Sequence, residues 1–374
     1  VSLLLSPLTL RGTTFRNRVW LAPMCQYSAA DDGLPTDWHL AHLGARAVGG
    51  FGLVLTEAAA VVPEGRISPQ DVGIWNDEQV TAWRRITDFI RARGAHSGIQ
   101  LAHAGRKAST YRPFGEGRGS VPATEGGWTA VGPTGDAFPG YAAPHELTEA
   151  EILEVPGQFA DATRRALAAG FDVVEVHAAH GYLLHQFLSP LSNTRTDRWG
   201  GDLAGRAQLL LDTVDAVRAV LPEQDPLLVR VSATDWTDGG LTGDDTATVA
   251  GWLREHGVDL VDVSTGGNVL ADIPVGPGYQ VPFARQVRDT GIAAGAVGMI
   301  TTPHQAEKVL TGGDADVVLL GRPALFDPSW PLRAARELGD DTPVLAHEPG
   351  SPDARIVEGQ PTGWVPQYGR GSWG

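Results

Sequence analysis

Short apolar runs alternate with longer amphipathic stretches along this chain, from about residue 18 to residue 338. The short runs lie at Val19–Ala22, Gly52–Glu57, Ser97–Leu101, Asp172–Val176, Leu227–Val231, Leu260–Ser264, Ile292–Ala296 and Val317–Gly321. They are almost continuously hydrophobic, which suits parallel strands buried on both faces. The stretches between them carry apolar residues at helical spacing. They predict helices at His39–Val48, Asp77–Arg93, Glu149–Ala169, Leu203–Val220, Asp244–Glu255, Gln280–Arg288, Pro303–Leu310 and Pro331–Leu338. Helix-end chemistry agrees: Thr148 with Glu151 forms a capping box. Gly94, Gly170, Gly257 and Gly291 each stand where a helix should stop before the next strand. Eight such pairs predict one α/β domain over 1–374, a (β/α)8 TIM barrel, with a doubly wound open sheet as the alternative. A short N-terminal segment caps the barrel, which spans about 18–338. Two stretches break the alternation, a Gly-, Pro- and Thr-rich loop excursion after strand three (103–147) and a C-terminal tail (339–374).

Composition narrows the function. Hydrophobic residues are 42% and charged residues 20%, enough apolar matter for a large core. The net charge of −15 argues against nucleic acid, whose phosphates need a basic surface. No run approaches the apolar length of a membrane span. Val1–Leu10 lacks the basic start and long apolar core of a signal peptide. A single cysteine, Cys25, can form no internal disulfide and no iron–sulfur or structural zinc cluster. A cytoplasmic location is expected.

In such barrels the chemistry sits at the C-terminal strand ends. Those ends here carry Pro23-Met24-Cys25-Gln26-Tyr27, then Glu57-Ala58, then Gln100 followed by His103 to Lys107. Strand four runs out through His177, His180 and Tyr182; later strands carry Arg230, Ser264, Gly298 and Gly321-Arg322. Arg230 is a cation in an apolar strand, so it serves either a developing negative charge on a ligand or a structural ion pair. Gln100 both donates and accepts; it suits a flavin pyrimidine edge or a satisfied core amide equally. Gly298, Gly321 and Arg322 fit a phosphate, the glycines through close backbone approach and the arginine through bidentate bonding. His177 and His180 could stabilise an enolate oxygen while Tyr182 delivers a proton. They could instead be buried hydrogen-bonded histidines, or join His185 around zinc as in a barrel hydrolase. That last arrangement lacks the usual spacing and any accompanying carboxylate or thiolate, so no metal is expected. On its own Cys25 reads as a small buried hydrophobe and Tyr27 as a packing aromatic. Lys107 and Arg106 could be solvated charges.

Taken together, these residues resemble the Old Yellow Enzyme family of FMN-dependent ene-reductases, in its thermophilic-like, YqjM-type branch. The resemblance covers Ala22–Tyr27, Gln100–Ala108, His177–Gly201, Val229–Ala233, Pro277–Gln280 and Gly295–Ile300. It implies noncovalent FMN held by Pro23, Met24, Cys25, Ala58, Gln100, Arg230, Gly298, Gly321 and Arg322, with NADPH or NADH as co-substrate. It implies reduction of the C=C bond of an α,β-unsaturated carbonyl or nitro compound. Tyr27, Lys107, His177 and His180 would bind that substrate, Tyr182 would be the proton donor, and Cys25 would tune the flavin. Arg370 matches an arginine that reaches a neighbouring subunit's site, implying a homodimer or homotetramer. This chain departs from the family at Ala22, often a hydroxyl residue, and Gln26, often methionine. The run Asn193–Gly201 reads as an internally paired structural loop. A non-catalytic flavin-binding barrel is the remaining alternative.

Overall fold

The apolar runs pair side by side, all parallel, and close on themselves in a computed structural model that describes residues 2–30 and 32–340. Arg370 and the tail beyond 340 lie outside the described residues. The barrel strands are β1 (Val19–Leu21), β2 (Leu53–Ala60), β3 (His96–Ala102), β4 (Val173–Ala178), β5 (Leu227–Ser232), β6 (Leu260–Ser264), β7 (Ala293–Ala296) and β8 (Val317–Leu320). Their helices are α1 (Asp37–Val48), α2 (Asp77–Arg91), α3 (Glu149–Ala168), α4 (Leu203–Arg218), α5 (Gly243–Glu255), α6 (Val281–Arg288), α7 (Pro303–Thr311) and α8 (Trp330–Glu337). β1 pairs with both β2 and β8, so the closed barrel, not the open sheet, is the architecture. Among the described residues, no helix is long and apolar enough to cross a membrane.

Burial on both faces follows from strand alternation. Val54, Ile99, Val174, Val229, Val261 and Val318 point outward and pack against the helices. Trp20, Leu53, Leu55, Val173, Leu228, Leu260 and Leu319 point inward and fill the lower barrel. An antiparallel hairpin of Leu8–Leu10 and Thr13–Phe15 closes that end. Phe15 joins the inner cluster with its ring centroid 4.6 Å from that of Trp20. Each such side chain contributes about 1.5–3 kcal/mol by leaving water. The lower half is thus a stability plug, and chemistry is left to the upper half.

The helix ends behave as their residues dictate. The Thr148 side chain accepts from the Glu151 N–H, and the Glu151 carboxylate returns a bond to the Thr148 N–H. Gly94, Gly170, Gly257 and Gly291 all adopt left-handed φ (73°, 87°, 85° and 88°), which costs glycine little. Two short helices are not among those the sequence predicts, Leu183–Leu188 after β4 and Arg322–Phe326 after β8. The excursion after β3 also contains a small parallel pair, Val131–Gly132 with His145–Glu146. In β2 the register shifts between Leu55 and Ala58. This bulge sets Ala58 opposite Gln100 and frees Glu57 to turn away from the ladder.

Candidate active site

Above the apolar plug, four strands turn polar side chains inward: Gln100, Glu175, Arg230 and Asp262, all buried. Gln100 Nε2 donates to Glu175 Oε1 at 2.7 Å, and Arg230 Nε lies 3.1 Å from Asp262 Oδ2. The ion pair weighed for Arg230 from the sequence therefore exists. Its closest contact is through Nε and is not a hydrogen bond; the Nη atoms make no hydrogen bond among the described residues, and neither does Gln100 Oε1. A cation and an amide oxygen are thus left over at the top of this layer, as a flavin pyrimidine edge requires.

Two carboxyls with one guanidinium cannot both be comfortably ionised in a buried layer. Burial, then Asp262, push Glu175 up to about 8, against the opposing pull of Arg230. A carboxyl whose folded pKa is raised binds a proton on folding. Its effect on stability is absent below about 4.5 and becomes increasingly unfavourable up to about 8. Glu175→Gln should therefore flatten the fall in thermal midpoint between pH 5 and pH 8. Parallel pH slopes for variant and parent would refute this.

At the strand-four exit, His177 Nδ1 accepts the Ala179 N–H at 3.2 Å, which leaves Nε2 as the donor of the neutral ring. That Nε2 lies 3.5 Å from His180 Nδ1, and His180 Nε2 lies 2.7 Å from Ser264 Oγ. Burial, then Arg230, hold both imidazoles well below their ordinary pKa, so both are neutral. The ring of Tyr182 stands edge-on to His177, centroids 5.0 Å apart. Burial, then Cys25 and Tyr27, keep its phenol well above the usual value, so it stays protonated. The structure thus brings His177, His180 and Tyr182 together.

Lys107 is near but differently engaged. Its Nζ donates to His180 O at 2.8 Å and Gly267 O at 3.0 Å, and it lies 5.1 Å from the Tyr182 ring centroid. Burial, then Arg106, lower it to about 8. Arg106 is not a solvated charge: it is buried, donating to Asn268 O at 2.8 Å. The Asn193–Gly201 loop is internally paired as expected, with Arg195 Nε on Asp197 and Asn193 Nδ2 on Phe187 O and Trp199 O.

Cys25, Tyr27 and Tyr182 pack on a small cluster containing Ala58, Ala102 and Ala104, roofed by Trp128 from the excursion. Tyr27 has a left-handed φ of 52° and meets Phe114 edge-on at 5.8 Å. Burial, then Asp71 and Glu57, raise the Cys25 thiol well above its ordinary value. A thiol so placed is no nucleophile. The loop is pinned from below by Glu57, whose Oε2 accepts the Gln26 N–H at 2.7 Å and whose Oε1 lies 3.0 Å from His39 Nε2.

A cleft of about 630 Å³ runs from His180 and Ser264 across the mouth to Gln280, Gly298, Gly321 and Arg322, among others. Gly298 has φ 115°, and a Cβ there would sit 2.8 Å from Gln280 Nε2. Met24 reaches this side, its Sδ 3.5 Å from where a Cβ on Gly321 would be. Arg322 is exposed and has no ion pair among the described residues. An unpaired arginine beside glycine backbone is a fitting place for a phosphate. The sequence gives no role to Glu57 or His39, to Ser264 as partner of His180, or to Asp235, whose Oδ1 lies 3.2 Å from His185 Nε2. His185 is thereby turned away from His177 and His180, and the zinc reading loses its third ligand.

Residues 3–341 match the NADH:flavin oxidoreductase / NADH oxidase family. The chain is 47% identical over 343 residues to an NADPH dehydrogenase of Listeria innocua, covering 91% of this chain and 96% of that one. Among solved structures it superposes on an Old Yellow Enzyme homologue from Zymomonas mobilis with TM-score 0.76 and 27% identity, covering 89% and 92% of the two chains. Morphinone reductase in complex with tetrahydroNAD gives TM-score 0.74 and 27% identity, covering 91% and 93%. With sequence kinship across nearly the whole barrel, this chain belongs to the NADH:flavin oxidoreductase family of Old Yellow Enzyme type, as an FMN-dependent NAD(P)H oxidoreductase.

Proposed function

We propose that this oxidoreductase reduces the C=C bond of α,β-unsaturated carbonyl or nitro compounds. The observation that carries the reading is the pair of neutral imidazoles, His177 Nε2 and His180 Nδ1, set 3.5 Å apart beside a tyrosine held in its protonated form. Bound FMN, reduced by NADPH or NADH, supplies the hydride that adds to the β-carbon. Pro23, Met24, Cys25 and Ala58 would line the flavin, Gln100 and Arg230 would hold its pyrimidine edge, and Gly298, Gly321 and Arg322 its phosphate.

His177 and His180 hold the carbonyl or nitro oxygen, where negative charge develops as the β-carbon gains its hydride. Ser264 Oγ lies 2.7 Å from His180 Nε2; with its hydroxyl donating there, the Nδ1–H would face the same point as the His177 Nε2–H. Tyr182 gives its proton to the α-carbon, completing addition of one hydride and one proton. Tyr27 lines the pocket, and Lys107 fixes the turn that carries His180. The same reading extends to assembly, with Arg370 completing a neighbour's site in a homodimer or homotetramer.

Anaerobic titration with NADPH should bleach a noncovalent FMN spectrum. Adding 2-cyclohexenone should restore it with formation of cyclohexanone. Reoxidation by oxygen alone, with no saturated ketone or nitroalkane formed from any activated alkene, would leave the chain an NADPH dehydrogenase of another substrate class.

A further inference from the structure

His180 and Gly181 are successive residues in the left-handed region, with φ 58° and 72°. The conformation is costly for a residue with a side chain and persists only where its surroundings impose it. Here every backbone polar group of the turn is taken by a side chain. Ser232 Oγ accepts the His180 N–H at 2.9 Å, and Lys107 Nζ donates to His180 O. Gln186 Nε2 donates to Gly181 O at 2.7 Å, and His185 Nδ1 accepts the Gly181 N–H at 2.9 Å.

The last of these bonds depends on a tautomer. To accept at Nδ1 the neutral ring must carry its proton on Nε2, and Nε2 lies 3.2 Å from Asp235 Oδ1. Both side chains are completely buried. Asp235 is itself fixed, its Oδ2 accepting from Ser189 Oγ at 2.6 Å and from the Leu241 N–H at 2.9 Å. Burial works to raise its pKa, but the bonds from His185 and Ser189 prevail and hold it below the usual value. The carboxylate therefore selects the ring tautomer, and the ring holds the turn.

We propose that His185 and Asp235 are a positioning pair that locks the His180–Gly181 turn and so aims the His180 imidazole at the substrate oxygen. The proposal rests on the reading of His180 given above. Neither residue touches the reacting atoms. A glycine is required between His180 and Tyr182 as well, because a Cβ on Gly181 would lie 2.3 Å from Gly267 O.

The test compares His185→Leu, which fills the space without an acceptor, with His185→Asn, which keeps an acceptor near the Nδ1 position. The turn itself is read by amide exchange across 178–186, and oxygen recognition by the Kd of a para-substituted phenol, whose phenolate mimics the enolate oxygen. His185→Leu should retain FMN, lose protection of the Gly181 N–H and weaken phenol binding about tenfold, as expected when a donor is displaced by a fraction of an ångström. His185→Asn should restore protection and bring the Kd within about threefold of the parent, since acceptor and geometry return together. Equal Kd values for the two variants, or unchanged protection in His185→Leu, would overturn the proposal. If His185→Leu does not fold, Asp235→Asn takes its place, with the same loss of protection required. His180→Ala separates the underlying reading: unchanged phenol binding there would remove His180 from substrate recognition. The exchange data would still report on the turn.

Discussion

Arg230→Met should yield a protein with little or no flavin and a lowered thermal midpoint. Two causes contribute, and they can be separated. The guanidinium's Nη atoms are left over for the pyrimidine edge; losing such a charged donor costs about 1.5–3 kcal/mol, or about ten- to a hundredfold in FMN Kd. The guanidinium also neutralises Asp262, both of whose oxygens are buried without a hydrogen bond. Removing one partner of a buried pair costs about 3–5 kcal/mol because the other charge stays behind. Both Glu175 and Asp262 already have pKa values raised by burial, and loss of Arg230 removes the opposing pull on each. Raised carboxyls favour the folded state least where they are ionised, so the variant's deficit should be larger at pH 8 than at pH 5. Adding Asp262→Asn should then recover the thermal midpoint but not FMN affinity. If the double variant recovers both, Arg230 is a structural cation only.

Tyr182→Phe should slow reoxidation by 2-cyclohexenone about a hundredfold, the lower end of what a positioned general acid supplies. Reduction by NADPH needs no proton from Tyr182 and should change little. Stopped-flow traces of the two half-reactions make the comparison directly. Equal slowing of both would assign the ring to packing against His177 and beneath Lys107. The pH dependence adds a second check. Because burial and its neighbours hold the Tyr182 phenol well above its ordinary pKa, the parent's reoxidation rate should show no loss of the acid between pH 7 and pH 9. A fall centred near 9 would mean that the donor is another group.

The strands were legible because a β/α barrel buries them on both faces. Val174, Val229 and Val261 face helices while Val173, Leu228 and Leu260 face the barrel interior, so the runs are apolar throughout. The polar exceptions, Gln100 and Arg230, stood out for the same reason. Their partners were harder to recognise: Asp262 and Glu175 are ordinary acids in sequence, and only the register places Arg230 beside Asp262. His39 with Glu57, His185 with Asp235 and His180 with Ser264 likewise join residues from different βα units. No local pattern announces such pairs. The helix Leu183–Leu188 escaped because it is wholly buried and has no polar face to give it a period. The left-handed φ at Tyr27, His180 and Met299 was also hidden, since none of them is glycine.

The mouth of the barrel is divided between independent pieces of chain. The cleft that holds Gly298, Gly321 and Arg322 is built from the ends of β6, β7 and β8 together with His180 and Gln280, whereas Tyr27, Trp128, Phe114 and Phe138 come from the loop after β1 and from the excursion after β3. Insertions, deletions or exchange within 110–145 would leave Gly298, Gly321 and Arg322 in place, whereas changes at Trp128 or Ala130 would also bear on the cluster that contains Cys25 and Ala58. On the proposed reading, a library confined to that segment, with Trp128 and Ala130 kept, would vary the substrate pocket while sparing Gly298, Gly321 and Arg322.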